Sequence, residues 1–302
     1  MTDKTVALIM VTYNRLELLK GAMDTIFNQT NKLDGIFIIN NNSTDETEKY
    51  LDTITKSHSN VHVKNLKKNI GGAGGFNEGI KFAYQFNDYD FYWLMDDDTY
   101  PKEDALNNLL KADLNIDNLG FLSSNVLWTD GNPVVMNVPT VSAVWNSKVK
   151  DGLVGLSSAS FVSMLISKEA IHKCGLPIKE FFIWGDDVEY SNRISKIFSC
   201  YFVSESTVIH HMKANSGVDI LTENGDRVSR HYYDTRNRFY MAKQEGTKAS
   251  LKYVLNRISM MFKILFSDSQ NKFKKIKVMI HGLWSGMFFN PNVEYLKNTD
   301  QN

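Results

Sequence analysis

The chain has 302 residues with 34 basic and 34 acidic side chains, so its formal net charge is zero and says nothing about a polyanionic partner; no nucleic-acid partner is expected, because no recognised single-strand platform accompanies the lysines. Its length suits one large α/β domain with an appended segment, and Cys174 and Cys200 fit neither a disulfide framework nor a metal-binding spacing, as expected of a cytoplasmic protein. The polar residues after Met1 lack a leader's apolar core, and the charge-free run 131–147 is broken by Pro133, Asn137 and Pro139, so neither a signal peptide nor a membrane span is expected.

Val6-Ala7-Leu8-Ile9-Met10-Val11 is a continuous apolar run, which predicts a strand buried on both faces of a parallel sheet. Leu16, Leu19, Met23 and Ile26 then recur at helical spacing. Ile36-Phe37-Ile38-Ile39 predicts a second buried strand, and Ser43-x-x-Glu46 a capping box opening the next helix. Val61-His62-Val63 predicts a third strand, a helix follows over roughly 76–86, and residues 92–95 lie in a fourth strand. Strands separated by helices imply right-handed crossovers and an open, mostly parallel sheet. Ligands on such sheets bind beyond the carboxyl ends of the strands.

Polar clusters collect at those ends. Thr12-Tyr13-Asn14-Arg15 follows the first strand, Asn40-Asn41-Asn42-Ser43-Thr44-Asp45 the second, and Asp96-Asp97-Asp98 the fourth. Between them lies Asn69-Ile70-Gly71-Gly72-Ala73-Gly74-Gly75-Phe76-Asn77, whose glycines would let backbone approach a ligand closely ahead of a helix. Adjacent carboxylates repel unless a cation neutralises them, and hard oxygen ligands suit Mg²⁺ or Mn²⁺, ions that commonly hold a diphosphate. Asp96 and Asp98 can face one side of an extended segment, which leaves Asp97 pointing away. A second acidic cluster, Trp184-Gly185-Asp186-Asp187-Val188-Glu189, precedes a predicted helix whose positive N-terminus suits its charges. Phe182 and Trp184 beside it are aromatics of the kind that stack on sugar rings.

These motifs, in this order, resemble family 2 glycosyltransferases of the GT-A fold, over roughly residues 5–240. The extended glycine loop, the 184–190 segment and Tyr232-Tyr233-x-x-Arg236-Asn237 are similar to the galactofuranosyltransferase and rhamnosyltransferase branch. The resemblance implies an inverting, Mn²⁺- or Mg²⁺-dependent single displacement from a nucleotide-sugar, with UDP-galactofuranose the preferred donor and dTDP-rhamnose the alternative. It implies that Thr12, Tyr13, Arg15, Asn40, Asn41, Asp45, Asn69, Gly71, Gly72, Gly75, Asn77, Asp96 and Asp97 contact the donor. Asp96, Asp98 and His211 would hold the metal, with His210 the alternative histidine. Asp187 would be the catalytic base and Asp186 would orient the acceptor, two roles that could be exchanged; Phe182, Trp184 and Glu189 would contact the acceptor. The family usually carries Asp where this chain has Asn40, whose amide oxygen can still accept from a pyrimidine N–H, without charge assistance.

Composition shifts near residue 245, so the expected domains are a GT-A catalytic domain over 1–245, with its nucleotide-binding half in about 1–100, and a basic helical segment over 246–302. Residues 248–287 carry eight Lys/Arg against one acidic residue, Asp268, interleaved with large apolar side chains. A basic amphipathic helix pair can lie on an anionic membrane surface or cap the catalytic domain, and the two are compatible. A lipid-linked glycan acceptor, in cell-surface polysaccharide synthesis, would give a cytoplasmic transferase a reason to rest on the plasma membrane. Two other function classes compete. A sugar nucleotidyltransferase usually opens on a Gly-rich basic loop, where this chain has Thr12-Tyr13-Asn14-Arg15. A non-catalytic sugar-nucleotide-binding module would not need Asp96, Asp98, Asp187 and His211 together.

Overall fold

Each apolar run of the N-terminal half becomes a strand: Val6–Thr12 (β1), Gly35–Asn40 (β2), Val61–Asn65 (β3) and Phe91–Asp96 (β4). The helices Leu16–Phe27 (α1), Thr47–Ser57 (α2) and Gly71–Tyr84 (α3) separate them. The computed structural model describes residues 4–114 and 116–297. The four strands run parallel in the order β3-β2-β1-β4. Side chains alternate across β1: Leu8 and Met10 pack with Trp93 on one face, Ala7 and Ile9 with Tyr92 and Leu94 on the other. Burial on both faces explains why β1 reads as unbroken apolar sequence rather than as alternation.

After β4 the chain forms Thr99–Pro101 (β5), Ala105–Asp113 (α4), Leu119–Trp128 (β6), Thr140–Val141 (β7), Leu153–Ser158 (β8) and Ser163–Ser167 (β9). Lys168–Cys174 (α5), Asp186–Ser195 (α6) and Ser199–His210 (β10) follow. Among the described residues ten strands join in one sheet, ordered β3-β2-β1-β4-β9-β6-β10-β8-β7, with β5 paired to β10. Strand β9 lies antiparallel between β4 and β6, so the sheet is parallel in its first half and mixed beyond it. Thr12 sits beside Asn40, Asn40 beside Asn65, and Val11 beside Asp96, which brings the carboxyl ends of β1 to β4 to one edge.

Two local expectations change. The glycine-rich segment is not a loop ahead of a helix, because α3 already begins at Gly71. A Cβ on Gly75 would lie 2.5 Å from Val11 Cγ1, so glycine there lets α3 lie directly against β1. The capping box does not form either. Ser43 Oγ accepts from the Asn14 N–H, and the first residue of α2, Thr47, donates its N–H to Asp45 Oδ1.

Glu180–Asp186 and Gly217–Asn292 make up a second compact unit, apart from the one that holds the sheet. It contains His231–Glu245 (α7), Thr247–Phe266 (α8) and Lys272–Phe288 (α9), so the compositional shift near 245 falls inside it. Ile220, Ile264 and Met279 form a small buried core. Lys275 is also fully buried and donates to the Leu221 carbonyl and Ser269 Oγ, which satisfies its ammonium without a carboxylate. The residues after Asn292 rejoin the first unit, where Glu294 pairs with Lys81 and Lys179. Among the described residues no helix is long and apolar enough to cross a membrane.

Candidate active site

The chemistry gathers where β4 runs into β5. Strand β5 pairs antiparallel with β10, which sets Thr99 opposite His210 and delivers the His210 imidazole to Asp98. His210 Nε2 lies 3.1 Å from Asp98 Oδ1, and ligand atoms of Asp96, Asp98 and His210 all fall within 4.8 Å of one another. Among the described residues, neither His210 Nδ1 nor Asp97 Oδ2, both buried, has a hydrogen-bond partner. Two carboxylates and an imidazole form a donor set that suits a divalent cation such as Mn²⁺ or Mg²⁺.

The expected ligand His211 is not in this cluster. His210 is the last residue of β10 and its ring turns to Asp98, whereas His211 lies just beyond the strand. His211 extends the ladder by donating its backbone N–H to the Asp98 carbonyl, and its ring stacks on Tyr100 at 3.7 Å.

Arg15, at the end of the β1–α1 connection, reaches the same carboxylates. Its Nη1 donates to Asp98 Oδ2 at 2.6 Å and to Asp97 Oδ1 at 3.2 Å. Asp97, expected to point away from Asp98, is thus tied to it by a shared guanidinium. Burial pushes the Asp96 carboxyl up to about 7, with the neighbouring Asp98 charge adding to the rise. Burial likewise raises Asp97 to about 6 against the pull of Arg15. Asp98 is the exception: burial raises it, but the hydrogen bond and charge of His210, with Arg15, outweigh that and hold it below the usual carboxylate range. His210 is pulled above its ordinary value by the same bond, against the effect of burial.

Along the edge, Asn14 and Thr44 tie the ends of β1 and β2 together, the Thr44 N–H donating to Asn14 Oδ1 at 2.7 Å. Asn40 donates to Asn65 Oδ1 at 2.8 Å and accepts from the Ser43 N–H, a linkage of two amides that the sequence did not reveal. Asn41 accepts from the Ile70 N–H and donates to the Gly71 carbonyl, while Asn69 Oδ1 accepts from the Gly71 N–H; both shape the entry to α3. Thr12 is buried, Tyr13 is exposed, and Gly72 faces open space. Asn77 lies on α3, wholly buried, and donates to the Pro177 carbonyl.

Asp186 and Asp187 open α6, where the helix dipole favours carboxylates. Asp187 Oδ1 accepts from the Val188 N–H at 2.8 Å. Glu189, expected at the acceptor, is committed elsewhere: both its oxygens accept from Arg193, which also donates to the Cys174 and Leu176 carbonyls. Phe182 and Trp184 are half-buried in the second unit.

The sequence of residues 7–148 matches the model of Glycosyl transferase family 2. The chain carries a family 2 glycosyltransferase domain. It is 25% identical to galactofuranosyltransferase GlfT1 of Mycolicibacterium smegmatis over 266 residues, 82% of this chain and 86% of that one. GlfT1 of Mycobacterium tuberculosis is 23% identical, over 92% and 95% of the two chains. Poly-beta-1,6-N-acetyl-D-glucosamine synthase of Staphylococcus aureus is 24% identical over 56% of this chain and 41% of its own. Among solved structures, Staphylococcus aureus TarS 1–349 superposes with a TM-score of 0.56 at 13% identity, over 93% and 72% of the chains. The mannosyltransferase PcManGT of Pyrobaculum calidifontis, solved with GDP-Man and Mn²⁺, gives 0.55 at 14% identity, over 95% and 74%. The fold is the GT-A fold with C-terminal helices, and the protein is a glycosyltransferase.

Proposed function

We propose that the protein transfers galactofuranose from UDP-galactofuranose to a glycan acceptor during synthesis of a cell-surface polysaccharide, with inversion at the anomeric carbon. The observation that carries this reading is the Asp96–Asp98–His210 cluster at the edge of a sheet whose relatives include galactofuranosyltransferases over most of their length. Asp96, Asp98 and His210 are the residues that would hold the divalent ion, Mn²⁺ or Mg²⁺. Such an ion stabilises the negative charge of a departing diphosphate. Arg15 brings a further positive charge to Asp98 and to the neighbouring Asp97. The amides of Asn40 and Asn65 and the backbone around Asn41 and Asn69 are the groups we assign to the nucleotide. Asp187 takes the proton of the acceptor hydroxyl as it attacks, and Asp186 orients the acceptor. Phe182 and Trp184 offer ring faces to a sugar. In this reading the acceptor is lipid-linked, and the surface of 248–287 rests on the membrane that carries it.

Incubation with a panel of UDP- and dTDP-sugars in Mn²⁺, reading release of the nucleoside diphosphate, tests the assignment. UDP release from UDP-galactofuranose in the presence of a galactofuranose-bearing glycan acceptor is expected. Preferential turnover of dTDP-rhamnose would move the donor to the rhamnose branch. Consumption of a nucleoside triphosphate, or no turnover with any donor, would sink the transferase reading.

A further inference from the structure

The motif Arg236-Asn237 on α7 has no role in the chemistry assigned so far, yet both side chains hydrogen-bond the backbone of residues 180–184. Asn237 is wholly buried. Its Nδ2 faces three carbonyls in a row, those of Phe181 at 3.0 Å, Ile183 at 3.2 Å and Trp184 at 2.8 Å. Its Oδ1 accepts from both Nε and Nη2 of Arg236, at 3.0 and 2.9 Å. A guanidinium can only donate, so this pair of bonds fixes which end of the Asn237 amide meets the carbonyls. Arg236 itself also donates to the Glu180 and Phe181 carbonyls.

The backbone held in this way is strained at two places. Phe182 has φ 65° and Trp184 φ 66°, the left-handed region, which disfavours bulky L-residues; Gly185 follows with φ 86°. A connection with no further task would carry Gly or Asn there. Bulky residues persist in such conformations only where surroundings over-determine them, and such positions cluster at ligand sites. The two rings are braced from α7 as well. Phe182 stacks on Tyr233 with centroids 4.8 Å apart, and Trp184 meets the edge of His231 at 5.1 Å. Both nevertheless remain partly exposed.

We infer that Arg236 and Asn237 are positioning residues, which clamp the 181–184 backbone so that Phe182 and Trp184 present a preformed aromatic platform to a sugar ring of the acceptor. This deepens the glycosyl-transfer reading and rests on it. The clamp acts through the carbonyls and touches no substrate. Its contribution is a fixed ring geometry before the acceptor arrives, which saves the entropy of ordering the loop on binding.

Asn237→Asp is nearly isosteric but replaces the donor nitrogen by an oxygen facing three carbonyls. Transfer to the acceptor should fall by roughly 10–100-fold in kcat/KM, mainly through the acceptor KM. The melting-temperature gain from UDP and Mn²⁺ should stay as in wild type. Phe182→Ala leaves every clamp bond in place and serves where Asn237→Asp does not fold; it too should raise the acceptor KM with the donor-induced gain unchanged. Unchanged acceptor KM in either folded variant overturns the platform. Equal loss of donor and acceptor binding in both overturns it as well, in favour of a general structural role. If wild type turns over no donor, the glycosyl-transfer reading has failed separately. The platform is then tested by quenching of intrinsic fluorescence by galactofuranose-bearing oligosaccharides in wild type against Trp184→Phe and Phe182→Ala. Identical quenching in all three overturns it.

Discussion

At the scale of single residues, the acidic edge is a site whose charge balance is set by what surrounds each carboxylate. Asp96 and Asp97 sit high because burial penalises their ionised forms, and His210 sits high because Asp98 favours its proton. A divalent ion needs the carboxylates ionised and the imidazole neutral, so its binding must release protons at neutral pH. The stability of the metal-free protein follows the same groups. Asp96, Asp97 and His210 all retain protons that the unfolded chain has lost, so stability falls as pH rises through about 6 and 7; Asp98, held low, acts in the opposite sense. The melting-temperature gain from saturating Mn²⁺ should therefore be larger at pH 8 than at pH 6, with net proton release seen by calorimetry in buffers of different ionisation enthalpy. A gain that is independent of pH would exclude Asp96 and His210 from the ligand set. Asp187 is separable from this group. Asp187→Asn keeps the shape but cannot take a proton, and should lower turnover by roughly 10²–10⁴-fold with donor binding little changed. A larger loss in Asp186→Asn would transfer the base to Asp186.

At the scale of elements, what the sequence reveals depends on how local the deciding physics is. Strands β1, β2 and β4 are legible because burial on both faces writes them as apolar runs, and the polar residues that end them mark the edge. The glycines of 71–75 mislead because glycine signals a loop by default, whereas here the absence of Cβ is used to seat α3 on β1. The choice between His210 and His211 rests on the pairing of β10 with β5, a contact across more than a hundred residues that no local pattern encodes. The Arg236–Asn237 clamp is hidden for the same reason: its partners are backbone carbonyls about 55 residues upstream. In the second unit, Gly282 and Gly286 use the same device as Gly75. A Cβ at Gly282 would lie 2.7 Å from Thr235 Cβ and 2.9 Å from the Tyr232 carbonyl oxygen, so α9 lies close against α7 there. Gly282→Ala would have to push against backbone, and should destabilise the fold by about 1–3 kcal/mol in denaturant unfolding. A neutral or stabilising result would mean that α9 can move away from α7 at little energetic cost.

At the scale of the whole molecule, the distribution of exposed apolar surface is uneven. On α8, Leu251, Leu255, Ile258, Phe262 and Leu265 are exposed at spacings of three and four residues, which makes one stripe along the helix. On α9, Phe273, Ile280, Trp284 and Met287 are exposed at spacings of seven, four and three residues, and Phe266 and Phe273 near the α8–α9 connection are each 82% exposed. Exposed lysines accompany them, among them Lys252, Lys263, Lys274 and Lys277. Aromatics with lysines nearby are the composition of a surface that settles into an anionic lipid interface without spanning it. Lys275 takes no part, since it is buried and holds the Leu221 carbonyl, so a charge-reversal test must leave it intact. Lys252, Lys263, Lys274 and Lys277 changed together to glutamate should release the protein from anionic vesicles, each lysine near the surface contributing about 1 kcal/mol. Binding of the wild type should weaken with salt, because exposed charges are screened. The reversal should depress transfer to lipid-linked acceptors far more than transfer to soluble ones. Phe266→Ala with Phe273→Ala should weaken vesicle binding through lost burial while leaving its salt dependence unchanged. Should the wild type ignore anionic vesicles at low salt and instead dimerise through this face, the stripes belong to a second copy of the chain and the membrane assignment fails.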